Sequence, residues 1–106
     1  MISFQDFQKL DIRIGKITAA DKIEGTDKLV KMDIDFGSEQ RQVVAGIAEV
    51  YSPEDLVGKE IPVLLNLEPR KIRGIESQGM ILAADVAGKP VLLHPDRDVS
   101  PGSIIR

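Results

Sequence analysis

Three cations occupy four consecutive positions in this chain: Arg70, Lys71 and Arg73. An apolar run ending at Leu67 precedes them, and the polar turn Ser77-Gln78-Gly79 follows. A cationic loop held between two strands is suited to docking a phosphate backbone. Arginine forks match phosphate oxygens bidentately, and lysine acts as a movable point charge. Asn66, Ser77 and Gln78 carry amide and hydroxyl groups that bond to phosphate, ribose hydroxyls or exposed base edges. Gly74 and Gly79 let backbone approach a ligand closely. Met80 opens an apolar run with Ile81 and Leu82, so core packing and an adaptable ligand contact are equally open to it. Taken alone, the cationic cluster also describes an ordinary solvated loop.

A second cationic group is Lys28 and Lys31. Lys31 is opposite in phase to Val30 and Met32, which places it on the outer face of a strand. Asp33 and Asp35 share that face and repel phosphate further along it. Arg41, on the strand that follows, reads as solvated surface.

Other chemistry finds few residues. The single histidine, His94, stands beside Pro95, where a structural or surface role is the ordinary one. With no cysteine and no second histidine, Cys/His nucleophilic pairs and multi-histidine metal sites are impossible within one subunit. Asp33/Asp35 and Asp96/Asp98 read as solvated pairs. No catalytic constellation, cofactor or metal is expected.

The elements that position these residues are short strands. Ile12 and Ile14 alternate with Asp11 and Arg13, and the apolar parity then changes, since Ile17 is the next large apolar residue. Gly15 sits at the change, as at a bulge or sharp bend in a strand. Val30, Met32, Ile34 and Phe36 alternate with Lys31, Asp33 and Asp35, a half-buried second strand. A third strand runs over 41–46, a fourth is marked by Ile61, Val63, Leu65 and Leu67, and a fifth covers 80–84. Between the third and fourth, Ser52-Pro53-Glu54-Asp55 reads as a helix start: an N-cap, proline at the first helical position, acids in the first turn. Gly58 ends that helix. Ser3 and Asp6 have capping-box spacing, and Phe4, Phe7 and Leu10 recur at helical intervals, which predicts an N-terminal helix covering one end of the core.

This order, three strands, a short helix and two strands, followed by a C-terminal extension over 95–106, predicts an all-β chain with short helices. It fits a five-stranded OB-fold barrel, a partly open barrel that often holds oligonucleotides or oligosaccharides. Periodicity alone also fits other small β-barrels. At 106 residues a single domain over 1–106 is expected. The net charge of -3 argues against a generic nucleic-acid binder, which carries a positive excess, but not against a local basic surface. No apolar run approaches membrane-spanning length, and 1–6 lacks the features of a signal peptide, so a cytoplasmic location without membrane association is expected. The aromatic residues are Phe4, Phe7, Phe36 and Tyr51 only. Barrels that grip unstructured single strands stack bases on aromatics, at about 1–3 kcal/mol each. This scarcity favours recognition of folded RNA by backbone and shape.

Several segments in order resemble the tRNA-binding domain family. They are Asp11-Ile12-Arg13-Ile14-Gly15-Lys16-Ile17, Gly25-Thr26-Asp27-Lys28-Leu29, Val43-Val44-Ala45-Gly46-Ile47, Asn66-Leu67-Glu68-Pro69-Arg70-Lys71 and Ser77-Gln78-Gly79-Met80-Ile81-Leu82. The family includes the C-terminal domain of methionyl-tRNA synthetase, free-standing tRNA-binding proteins and an export-chaperone branch. The resemblance implies an OB-fold that binds tRNA largely by shape, forms homodimers and assists an aminoacyl-tRNA synthetase, methionyl-tRNA synthetase above all, without catalysis of its own. Carried onto this chain, its tRNA surface implicates Asn66, Arg70, Lys71, Arg73, Ser77, Gln78 and Met80, with Lys28 and Lys31 as a second patch. It also implies that Val99, Ile104 and Ile105 of the extension serve a twofold interface; packing within one subunit is the alternative. The alternative function is that of a dimeric, peptide-binding, export-chaperone-like protein.

Overall fold

Alternation of apolar and charged residues from Val30 to Phe36 builds the inner wall of a barrel, seen in a computed structural model that describes all residues from Met1 to Arg106. Val30, Met32, Ile34 and Phe36 are buried in the central core, while Lys31, Asp33 and Asp35 are half-buried on the outside. In chain order the elements are α1 (Phe4–Gln8), β1 (Ile12–Lys22), β2 (Val30–Asp35), β3 (Gln40–Ala45), α2 (Pro53–Leu56), β4 (Glu60–Leu64), β5 (Arg70–Ile72), β6 (Ile75–Ser77), β7 (Met80–Ile81), β8 (Ala83–Val86) and β9 (Lys89–Leu92). The main sheet is antiparallel, in the order β3-β2-β1-β4-β7. Its edges approach where Gln78 N–H donates to the Gln42 carbonyl at 2.8 Å, so the five strands form the nearly closed barrel of an OB-fold.

The long strand β1 serves two neighbours. Its first half pairs β4, its second half β2, with Lys16 opposite both Glu60 and Asp35. The irregularity that bends it lies between Ile17 and Ala19, not at Gly15, where the register with β4 is unbroken. Gly15 stands opposite Ile61 on the inner face, so Ile12 and Ile14 face outward, beyond the central core cluster. The apparent change of parity is thus a change of which face is covered. A side chain at Gly15 would collide with Ile34 and with the Phe36 ring, 2.8 Å from its Cζ.

Both helices form where expected. The Ser3 hydroxyl accepts from Asp6 N–H at 3.1 Å, which satisfies a free donor of the first turn. Ser52 caps α2 through its extended backbone while its hydroxyl turns to Asp55 at 2.9 Å, and Leu56 enters the core. Contrary to expectation, α1 covers no part of the core: none of its residues is buried, and Phe4 is 71% exposed. The fourth strand ends at Leu64, and the expected fifth strand is two pieces, β7 and β8, with β8 turning into a hairpin with β9. The extension packs on its own subunit. Ile14 N–H donates to the Ser103 carbonyl at 2.9 Å, and Ile105 N–H to the Ile12 carbonyl at 2.9 Å, a short rung beside β1.

Candidate nucleic-acid interface

The segment carrying Arg70, Lys71 and Arg73 is a β-hairpin rather than a loop. β5 and β6 pair in the register Arg70 to Ser77, Lys71 to Glu76 and Ile72 to Ile75, which leaves Arg73 and Gly74 as a two-residue turn. Both turn residues lie in the left-handed region, at φ +54 and +79, as a twisted two-residue hairpin connection requires. Arg73 holds this conformation without being glycine or asparagine, which places its side chain at the exposed tip of the hairpin. Arg70, Lys71 and Arg73 are all exposed. The ion pairs of the structure are Lys9–Asp6, Arg13–Asp11 and Arg41–Glu39, so the hairpin cations are unpaired, as are Lys28 and Lys31.

Register places the second patch beside the first. Lys31 of β2 is opposite Val44 of β3 on the outer face. Val44 N–H donates to Ser77 Oγ at 3.0 Å, and Ser77 is paired with Arg70. Lys31, Val44, Ser77 and Arg70 therefore form one row across the outside of the barrel. Lys28 sits in the β1–β2 loop, whose position is set by Lys28 accepting from Ala48 N–H at 2.9 Å. The outer face of β2 and β3, flanked by the β1–β2 loop and the segment between β4 and β7, is where barrels of this type take their ligands. Opposite charges temper the patch: Asp21 is the neighbour of Lys31 in β1, and Glu76 that of Lys71.

Met80 is 43% exposed and lies outside the core. It edges a small cleft of about 50 Å³ with Val44, Leu67, Arg70 and Ile72. Ser77, by contrast, is buried: its hydroxyl accepts from Val44 and donates to the Gly79 carbonyl at 3.1 Å. Gln78 Oε1 accepts from Gln42 N–H at 3.0 Å. Asn66 lies apart from the row. Its Oδ1 accepts from Asp11 N–H at 2.8 Å and its Nδ2 donates to the Lys9 carbonyl at 2.6 Å.

Arg41 is not solvated surface. Its Nη1 donates to the Leu65 carbonyl at 2.7 Å and to the Gln78 carbonyl at 3.1 Å, and its Nε bonds to Glu39. Gln42 Nε2 donates to the Glu76 carbonyl at 2.9 Å. The available signal was phase: Arg41 shares the inward phase of β3 with Val43, and an arginine there needs partners. Arg13 is alike, on the inner phase opposite Val63. Its hydrogen bond to Asp11 at 2.8 Å, then the charge of Asp11 and that of Glu39, raise it above the ordinary guanidinium range.

Known proteins resemble this chain in sequence and in fold. The sequence profile described as "Putative tRNA binding domain" matches residues 12–104. A methionine–tRNA ligase from Archaeoglobus fulgidus is 58% identical over 102 residues, which are 96% of this chain and 16% of that protein. One from Methanothrix thermoacetophila is 52% identical over 106 residues, 100% of this chain and 16% of that ligase. The chain thus spans about one sixth of the length of the curated relatives it matches. Among solved structures, a MetRS related protein from Pyrococcus horikoshii superposes with a TM-score of 0.95 at 37% identity, over 100% of this chain and 98% of that one. The chaperone CsaA from Bacillus anthracis superposes with a TM-score of 0.90 at 35% identity, over 100% and 99%. With the profile matched over nearly its whole length, this chain belongs to the tRNA-binding domain family.

Proposed function

We propose that this chain is a non-catalytic module that binds folded tRNA on the outer face of β2 and β3 and assists an aminoacyl-tRNA synthetase, methionyl-tRNA synthetase first. The supporting observation is the row from Lys31 to Arg70, which joins two unpaired cationic groups on one surface of an acidic protein. Arg70, Lys71, Arg73, Lys28 and Lys31 neutralise phosphates, and Met80 offers an apolar contact beside them. Ser77 and Gln78 lie beside this surface and shape it, while Asn66 holds the junction of α1 and β1 apart from it. The relatives that this chain matches at one sixth of their length are methionine–tRNA ligases, which supports the choice of synthetase. Titration of folded tRNA, denatured tRNA and single-stranded RNA at two salt concentrations tests this reading. Preference for the folded form and steep salt dependence are expected; equal affinity for all three refutes it.

The working unit in this reading is a homodimer. Phe4, Phe7, Leu10, Ile104 and Ile105 line a groove of about 400 Å³ between α1 and the C-terminal rung, and Ile104 is 52% exposed. An apolar surface of this kind marks an interaction site. Two linked copies of a weak patch gain effective concentration without a new contact.

A second reading, a peptide-binding chaperone-like dimer, draws on the CsaA structure and on the exposed Leu67 and Met80 beside the hairpin. Suppression of client aggregation without tRNA affinity would select it.

A further inference from the structure

We infer that Arg41 and Gln42 are positioning residues that latch the cationic hairpin to the barrel, and that Ser77 and Gln78 belong to this latch rather than to the RNA-contacting surface. The inference rests on the reading of β5–β6 as the RNA-presenting element. The hairpin has three residues per strand and forms a sheet of its own, outside the ladder of the main sheet. A two-stranded hairpin of that size is at best marginally stable alone in water. Its pose therefore depends on what fastens it.

The fastenings converge on β3. Leu65 and Gln78 flank the segment that carries the hairpin, and both of their carbonyls accept from the same nitrogen, Arg41 Nη1. Glu39 holds the guanidinium from the other side. One side chain thus fixes the span between the two ends of the segment. Next along β3, Gln42 Nε2 donates to the Glu76 carbonyl on β6, and Gln42 exchanges bonds with Gln78 through its backbone N–H and carbonyl. Val44 N–H then bonds Ser77 Oγ. Residues 41, 42 and 44 of one strand hold the returning strand at each step.

Ser77 and Gln78 fit a latch better than a contact. Ser77 is 5% exposed, and its hydroxyl both accepts from Val44 and donates to Gly79. Removing that hydroxyl leaves the Val44 donor without its partner. The polarity that marks these residues in the sequence serves the barrel-to-hairpin seam. The seam in turn holds Arg70, Lys71 and Arg73 at fixed spacing, so less side-chain and backbone freedom is lost when they meet phosphates.

The test compares the full chain with Arg41→Ala, Arg41→Lys and Gln42→Ala, using hydrogen exchange and titration with folded tRNA across salt concentrations. In both Arg41 variants the amides of 70–77 should exchange faster while those of β2 and β4 keep their protection. Arg41→Lys keeps the charge but lacks the fork that spans two carbonyls and Glu39. Affinity for tRNA should fall about tenfold in both, comparable to one or two lost hydrogen bonds. The slope of affinity against salt should stay at the wild-type value, because Arg70, Lys71 and Arg73 remain. A slope reduced by about one in Arg41→Ala would make Arg41 a phosphate contact and overturn the inference. Unchanged exchange at 70–77, or protection lost equally across the barrel, would also overturn it. If Arg41→Ala does not fold, Gln42→Ala decides: it removes only the side-chain bond to Glu76, and a hairpin no looser than wild type sinks the latch. A wild-type chain without salt-dependent tRNA affinity would refute the functional reading, while the exchange comparison would still decide the latch.

Discussion

Asn66 and Asp11 are joined across 55 positions of sequence: Asn66 Oδ1 accepts from Asp11 N–H at 2.8 Å. The other end of the same amide donates to the Lys9 carbonyl, so Asn66 grips the backbone on both sides of the junction between α1 and β1. Asn66→Ala should destabilise the chain by about 1 kcal/mol, the net worth of hydrogen bonds at an exposed site. Urea unfolding measures this. Affinity for folded tRNA should not change, because both ends of the Asn66 amide are engaged within the chain and no RNA contact is removed. A loss of affinity for folded tRNA with unchanged stability would return Asn66 to the contact surface.

Gly15 should resist the smallest possible enlargement. A methyl group there meets Ile34 and the Phe36 ring, two fully packed core residues, inside normal contact distance. Gly15→Ala should cost about 1–3 kcal/mol by overpacking. Gly46→Ala is the control, because its added carbon has nothing within 4 Å and no positive φ is involved. That change should stay within about 0.5 kcal/mol of wild type. Equal effects in thermal or denaturant unfolding would remove packing as the reason for glycine at position 15.

The barrel was legible where residues alternate. Val30, Met32, Ile34 and Phe36 are the inner face of β2 as their period requires, and the capping signals at Ser3 and Ser52 mark real helices. What sequence could not supply is the identity of the cover. The apolar side of α1 reads as core-facing from its period alone, yet Phe4 faces a groove and solvent. The hairpin leaves no sequence signal because its strands of three residues are too short for a period, and Arg70 and Lys71 break what pattern there is. The polar residues of the Ser77-Gln78 turn look like ligand-binding groups until their partners on β3, more than 30 positions away, are known. Long-range hydrogen bonds leave no local signature. The cations themselves were legible because a free charge needs no partner to be recognised.

Neutralising the hairpin should separate binding from folding. The triple variant Arg70→Ala, Lys71→Ala, Arg73→Asn removes three exposed, unpaired charges. Asparagine is used at 73 because the residue lies at φ +54, where asparagine is less strained than alanine. Unfolding midpoints should stay near wild type or rise slightly. Affinity for folded tRNA should fall at least tenfold, and the salt slope should drop by about two to three, near one counterion per lost phosphate contact. Filter binding or fluorescence titration at several salt concentrations reads both numbers. Unchanged affinity would remove the hairpin from the interface.

The groove between α1 and the C-terminal rung predicts the assembly state. Phe4 and Ile104 line the same groove and are the most exposed of its large apolar residues, so a charge there faces solvent in a monomer and a partner in a dimer. Phe4→Asp and Ile104→Glu should each leave the barrel folded, because neither residue belongs to the core. Sedimentation at micromolar concentration should show a dimer for the wild-type chain and monomers for both variants. Burying one unpaired carboxylate per subunit costs several kcal/mol, of the order of ~3–5, enough to dissociate a modest interface. The same variants should bind tRNA more weakly although the hairpin is untouched, because each monomer presents one basic row in place of two. The loss should be large at low protein concentration and the slope per monomer should be close to half that of the dimer. A wild-type chain that sediments as a monomer removes this account, and the single row would then have to supply the whole affinity.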